Sequence, residues 1–256
     1  MIIAQISDTH ILARSTHRLV GEQRADHLRR CVADINCQRP DIVVHTGDIV
    51  QDGLPEEYAH VRDIVAPLAM PLYLIPGNRD RRDTLRAAFD DHTYFPTNGE
   101  FLHYTVEDLD VRLVALDSIA AGKDAGDNKG TLCSRRLEWL NDVLYQAPDR
   151  LTILLIHQPP FDVGDHYVDG YRQPQEANNL ASLVRRHPQV VRLLCGHVHR
   201  SIQVPWADTV ASITPSIAVD VRKGINGILA EDTPVYAMHI TSADAGLISY
   251  SRPVAG

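Results

Sequence analysis

The 256-residue sequence predicts a layered α/β fold built on mixed sheets. Three observations predict it. Short runs rich in Ile, Val and Leu alternate with stretches whose apolar residues recur at helical spacing. Two of these runs, LTILLI at 151–156 and VVRLLC at 190–195, are almost continuously apolar, as strands covered on both faces are. From Val210 onward the chain reads as strands and turns. This alternation suits sheets flanked by helices, not a bundle or an all-β sandwich.

The elements follow in order. Ile2 to Ile6 is the first strand, and Ala25, Leu28, Val32 and Ile35 give a helix over Gly21 to Ile35. Asp41 to Val44 is a strand, and Pro55 opens a helix running to about Ala66, since proline suits the first helical position. Leu72 to Ile75 is a strand and Arg81 to Phe89 a short helix. Phe101 to Val106 and Val111 to Leu116 pair across an acidic turn. Leu137, Leu140 and Leu144 mark a helix over Arg135 to Tyr145 that takes Trp139 into the core. The strand Leu151 to Ile156, the helix Asn178 to Arg186 and the strand Val190 to Cys195 follow. Two polar stretches, Ala120 to Gly130 and Asp162 to Asn178, are long for plain connections and read as functional or mobile loops.

A formal net charge of −8 argues against sequence-independent binding of nucleic-acid duplexes, which needs a cationic face. No apolar run approaches the roughly 18 residues of a membrane span, so no membrane partner is expected. The opening MIIAQISDTH has no basic leader, and the four cysteines show no C-x-x-C spacing. Reduced thiols and a cytoplasmic location are the expectation, and a zinc knuckle is not.

Five apolar runs are each followed by residues of metal-ligand type. Ser7-Asp8-Thr9-His10 follows the first, Gly47-Asp48 the second and Gly77-Asn78-Arg79-Asp80 the third. His157-Gln158-Pro159-Pro160 and Gly196-His197-Val198-His199 follow the last two. Ligands of open α/β sheets bind beyond the carboxyl ends of strands, so these runs send two Asp, one Asn and four His toward one rim. Carboxylate, imidazole and amide oxygen together suit a pair of divalent transition ions: zinc, iron, cobalt or manganese. In Asp8-Thr9-His10 an extended strand end would turn the outer two side chains to one ion. The carboxylate of Asp48 has two oxygens and can bridge. Two ions, two carboxylates and one hydroxide leave a surplus positive charge that attracts a phosphate into an acidic protein.

The set D-x-H, G-D, G-N-x-D, H and G-H-x-H resembles the calcineurin-like metallophosphoesterase superfamily. ISDTH, VHTGDIV, PLYLIPGN and CGHVH, with Pro55-Glu56-Glu57-Tyr58, resemble its bacterial glycerophosphodiester and cyclic-nucleotide phosphodiesterases over about residues 1–215. The resemblance implies a four-layer α-β-β-α sandwich with two mixed sheets. It implies a catalytic core at 1–215, leaving 216–256 to complete the sheet or to form an oligomer contact. It further implies that Asp8, His10, Asp48 and His199 hold one divalent ion and that Asp48, Asn78, His157 and His197 hold a second. A hydroxide between them would attack the phosphorus of a small phosphodiester. Asn78, a neutral ligand, would hold the more labile ion, and Asp80 would position its loop.

The chain departs from that pattern at Arg79, where relatives usually carry the histidine of G-N-H-D. Arginine stays protonated, so it is a poor proton donor but a strong bidentate phosphate ligand. Arg79 is therefore expected to stabilise transition-state charge, with another group protonating the leaving alkoxide. The family's further histidine after G-H-x-H is not evident between Ser212 and Val221. His45 is expected to pack or to support a ligand rather than to be one. His166, Tyr167, Tyr171 and Arg172, in the second polar stretch, are candidates for substrate contact or plain surface. A 3′,5′-cyclic nucleotide phosphodiesterase is the main alternative. A phosphomonoesterase and a non-catalytic scaffold are weaker ones, since Gly47-Asp48-Ile49-Val50-Gln51-Asp52-Gly53 departs from the protein-phosphatase pattern and no proposed ligand is missing.

Overall fold

The computed structural model describes residues 1–120, 128–164, 170–222, 233–242 and 246–254. Parts of both polar stretches, with His166 and Tyr167, lie outside the described residues.

One sheet holds β1 (Ile2–Ile6), β2 (Ile42–His45), β3 (Leu72–Leu74), β10 (Val235–Ser242) and β11 (Gly246–Pro253), in the order β11-β10-β1-β2-β3. β1, β2 and β3 run parallel, with Gln5 opposite Val44 and Val44 opposite Tyr73. β10 is antiparallel to both its neighbours. The other sheet holds β4 (Tyr104–Val106), β5 (Arg112–Leu116), β6 (Thr152–Ile156), β7 (Val190–Cys195), β8 (Ile202–Trp206) and β9 (Thr209–Ile213). Its order is β4-β5-β6-β7-β9-β8, antiparallel only at its two edge pairs.

Strand alternation makes the layers. Leu113, Ala115, Ile153 and Leu155 point into one apolar cluster shared with the first sheet, while Val114, Leu116, Leu154 and Ile156 point into another. The first cluster also takes the buried faces of α1 (Arg18–Gln38), α2 (Pro55–Val65) and α3 (Arg82–Ala88). The second takes those of α4 (Ser134–Tyr145) and α5 (Pro174–Val184). Helices therefore cover the outer face of each of two mixed sheets, the four-layer α-β-β-α arrangement that the resemblance implied.

Two expectations need correction. α5 begins at Pro174, not Asn178, because Glu176 anchors its polar first turn by accepting from Thr131 Oγ1 and the Leu132 N–H. Trp139 is only half-buried, stacked on His103 at 4.6 Å between ring centroids. Arg136 takes the interior place instead, donating to the carbonyls of Asp117, Thr131 and Ile119 with its guanidinium 4.3 Å from the Phe101 ring. Those acceptors satisfy a charge that burial would otherwise penalise.

Polar groups also join the sheets. Gln5 on β1 donates to Thr46 Oγ1 at 3.0 Å and to the Cys195 carbonyl of β7 at 2.9 Å. Its own oxygen accepts from His239 Nε2 at 2.9 Å, so His239 Nδ1 accepts from the Ser249 hydroxyl at 2.8 Å. Burial, with Arg192 nearby, lowers the His239 imidazole from 6.5 to about 3. The unfolded chain then binds the extra proton between those values, and stability falls as pH drops through that window. At pH 5 this one group should cost about 2 kcal/mol, at about 1.4 kcal/mol per pH unit below 6.5. Urea denaturation between pH 7 and pH 5 should show a smaller loss for His239→Gln than for wild type. Equal slopes would remove His239 from the acid response.

Candidate metal centre

The turns that leave β1, β2, β3, β6 and β7 meet at one end of the sandwich. Backbone bonds zip the first two together: Asp8 N–H donates to the Gly47 carbonyl at 3.0 Å and His10 N–H to the Asp48 carbonyl at 3.1 Å. Gly196 N–H donates to the His157 carbonyl at 3.1 Å, joining the last two. Asp8, His10, Asp48 and His199 offer donor atoms that all lie within 4.8 Å of one another. So do Asp48, His157 and His197, and Asn78 Oδ1 stands 3.1 Å from His157 Nε2. All seven side chains expected from the sequence are brought together.

Asp48 belongs to both groups, one oxygen to each. Its Oδ2 lies 3.8 Å from His10 Nε2 and its Oδ1 3.5 Å from His157 Nε2. The extended geometry expected for Asp8-Thr9-His10 is not what brings its ends together. Asp8 (φ 52°), His10 (φ 46°), Asp48 (φ 51°), His197 (φ 73°) and His199 (φ 59°) are all left-handed. Asp and His tolerate that region better than most residues, and each instance still costs on the order of 1–3 kcal/mol. Strain concentrated at five donors marks a site built for position rather than for stability.

The donor chemistry asks for cations. His157 Nδ1 donates to the Thr46 carbonyl at 2.7 Å and His199 Nδ1 to the Val221 carbonyl at 2.9 Å. Each ring, when neutral, therefore points the bare lone pair of Nε2 inward. His157 Nε2 meets Asn78 Oδ1 and, at 3.2 Å, His197 Nδ1, while His199 Nε2 meets Asp8 Oδ1 and His10 Nε2, both at 3.2 Å. Lone pairs converging in this way repel unless positive charge stands among them, so the residues fit divalent metal.

The carboxylates and imidazoles also shift one another's protonation. Burial alone would strip His157, but the Asp48 carboxylate overrides it and lifts the imidazole to about 9. His199 moves up for the same reason, with Asp8 as the charge. Burial dominates at His197, lowered to about 3, and at His10, lowered to about 4. Burial opposes ionisation of both carboxylates, yet the facing imidazoles hold Asp8 at about 2 and Asp48 well below the usual range.

Supporting residues surround these groups. Asp80 accepts from the Gly77 N–H at 2.8 Å, the Ile49 N–H at 3.2 Å and the Tyr58 hydroxyl at 2.9 Å, tying the turn after β3 to the turn after β2. Burial and the nearby Asp48 raise its carboxyl to about 7. His45 accepts from the Gly47 N–H and donates to Thr9 Oγ1 at 2.9 Å, so it is a prop rather than a donor to the centre. Tyr171 is buried and donates to the Gln158 carbonyl at 2.8 Å, which removes it from the substrate candidates. Arg172 is exposed.

Some supports had no sequence expectation. Asn128 accepts from Asn78 Nδ2 at 3.1 Å and thereby turns the Asn78 oxygen toward His157. Its only signal is its place in a polar stretch too long to be a plain connection. Ser7 donates to Asp8 Oδ2 at 2.5 Å, and its only signal is its place beside Asp8. Arg79 donates its backbone N–H to Asp48 Oδ1 at 2.6 Å. Its half-buried guanidinium makes no hydrogen bond or ion pair among the described residues.

Comparison with known proteins identifies the family and the fold. The chain is 34% identical to the probable glycerophosphodiester phosphodiesterase GpdQ of Arcobacter nitrofigilis, over 98% of this chain and 92% of that protein. It is 29% identical to the 3′,5′-cyclic adenosine monophosphate phosphodiesterase CpdA of Escherichia coli K12, over 86% of this chain and 77% of that one. The crystal structure of a dimetal phosphatase from Danio rerio shares the fold, with a TM-score of 0.71 at 15% identity over 100% of this chain and 99% of that one. Residues 1–201 match the calcineurin-like phosphoesterase family, and the chain belongs to it.

Proposed function

We propose that this protein is a metal-dependent hydrolase of small phosphodiesters that works with two divalent ions. The sharing of Asp48 between two donor groups carries the reading. Asp8, His10, Asp48 and His199 would hold one ion, and Asp48, Asn78, His157 and His197 the other. When bound, such ions polarise the phosphoryl oxygens and ready water for in-line attack on phosphorus. The chain supplies the rest. Val221 and Thr46 fix the tautomers of His199 and His157, Asn128 orients the Asn78 amide, and Asp80 holds the turn that carries Asn78 and Arg79. Arg79 would grip the phosphate through two N–H groups and offset charge that grows in the transition state. The 34% identity to a probable glycerophosphodiester phosphodiesterase over nearly the whole chain favours glycerophosphodiester-like substrates. Cyclic nucleotides are the second reading, favoured by the 29% identity to a cyclic AMP phosphodiesterase. The antiparallel pairing of β10 with β1 supports reading residues beyond 215 as completing the sheet.

A substrate panel tests this. A glycerophosphodiester, cyclic AMP, an aryl phosphodiester and an aryl phosphomonoester are compared with manganese, cobalt, zinc or iron present. Diesters should be turned over faster than the monoester, and the reverse order would overturn the reading. Arg79 cannot give a proton to the leaving alkoxide, and general-acid help is worth about 10²–10⁴-fold. Rates should therefore fall steeply as the leaving-group pKa rises. Arg79→His should flatten that slope, whereas equal slopes in the two proteins would remove Arg79 from the leaving-group side.

A further inference from the structure

Arg24 lies on α1, outside the ring of donors, and is buried. Its Nη1 donates to the His10 carbonyl at 2.9 Å and to Gln51 Oε1 at 2.9 Å. Nε and Nη2 grip the Asp220 carboxylate, at 2.9 and 3.1 Å from Nε and 2.6 Å from Nη2. Asp220 is the middle residue of a short 3-10 turn, Val219–Val221, and the carbonyl that ends this turn accepts from His199 Nδ1. One guanidinium thus reaches two donors by two routes. Through the His10 carbonyl it holds a left-handed backbone in place. Through Asp220 it holds the acceptor that selects the His199 tautomer and turns its Nε2 inward.

We infer that Arg24 is a positioning residue for one half of the centre, and that the Arg24–Asp220 pair sets the metal affinity of the Asp8, His10, Asp48 and His199 group rather than that of the other group. The inference rests on the proposed two-metal centre. The other half is held by different partners: the Thr46 carbonyl for His157, Asn128 for Asn78, and Asp80 for the turn after β3. Neither Arg24 nor Asp220 is among them. The task also needs arginine. A rigid fork of N–H groups clamps a carboxylate while another N–H stays aimed at a carbonyl, and the point charge of lysine cannot hold both directions. Partners that orient metal ligands are worth about 10–100-fold in metal affinity.

Cobalt(II) titration of the metal-stripped full-length protein tests the inference, followed by calorimetry and by the visible absorption of the bound ion. Wild type should take up two equivalents. Arg24→Gln should weaken one of them about 10–100-fold and leave the other unchanged. In a His157→Ala background, where the other half is disabled, the loss should be read directly. Asp220→Asn, a gentler change, should weaken the same equivalent, and combining it with Arg24→Gln should add little, because both act through one contact. Arg24→Lys should recover only part of the affinity. Equal weakening of both equivalents, no weakening, or fully additive losses would overturn the inference. Uptake of no cobalt by wild type would instead overturn the metal centre itself.

Discussion

Asp48→Asn is expected to lower kcat/KM for phosphodiesters by about 10³-fold or more, since loss of transition-state charge stabilisation of several kcal/mol translates at 1.36 kcal/mol per decade. Among the described residues no other donor is shared by both groups. Its two oxygens face His10 on one side and His157 on the other, and Oδ1 also receives the Arg79 N–H. Asparagine keeps the shape but loses both the charge and one of the acceptors. Whichever way its amide turns, an NH₂ group confronts either the His10 side or the Arg79 N–H. Metal uptake should fall from two equivalents to one or none, while circular dichroism shows a folded protein. Activity within tenfold of wild type, at full metal content, would show that the shared carboxylate is not what joins the two halves.

The donors were legible in the sequence for a simple reason. Each follows an apolar strand directly, so its place at a strand end is local information, and the strand periodicity that builds the sheets also aims the turns. The backbone that presents them was not legible. Five donors are left-handed, and nothing in D-x-H or G-H-x-H distinguishes a left-handed turn from an extended strand end. The supports were hidden for a different reason. Arg24 and Asp220 are separated by 196 positions, and Asn78 and Asn128 by 50, so no window of sequence contains both partners. Arg136 shows the same limit in the core. Its helix reads as a place for Trp139, but the three carbonyls and the ring that accept a buried guanidinium come from elsewhere in the chain.

One methyl group should test how tightly the two sheets are locked at this end. Gly196 sits between the last residue of β7 and His197, and its φ is not positive, so alanine meets no backbone penalty there. The obstacle is space. A Cβ would land on Ser7 Oγ, 2.6 Å from Asp8 Oδ2 and 2.9 Å from the Thr46 carbonyl. None of these can yield cheaply. Asp8 is fully buried and accepts from the His197 N–H at 3.0 Å, and Ser7 Oγ is bonded to the same carboxylate. The Thr46 carbonyl is the prop that fixes His157. Displacing the Asp8 side therefore disturbs one donor group, and displacing Thr46 disturbs the other. Gly196→Ala should cost about 1–3 kcal/mol of stability, as overpacked interiors do. Disturbed support on both sides of the centre should also cost about 10–100-fold in metal affinity. Gly170→Ala is the matched control, because a Cβ there meets nothing within 4 Å among the described residues and its φ is not positive either. Thermal melts and metal analysis of the two variants should diverge. If Gly196→Ala melts and binds metal as Gly170→Ala does, the packing of β7 against the turn after β1 is looser than these distances require.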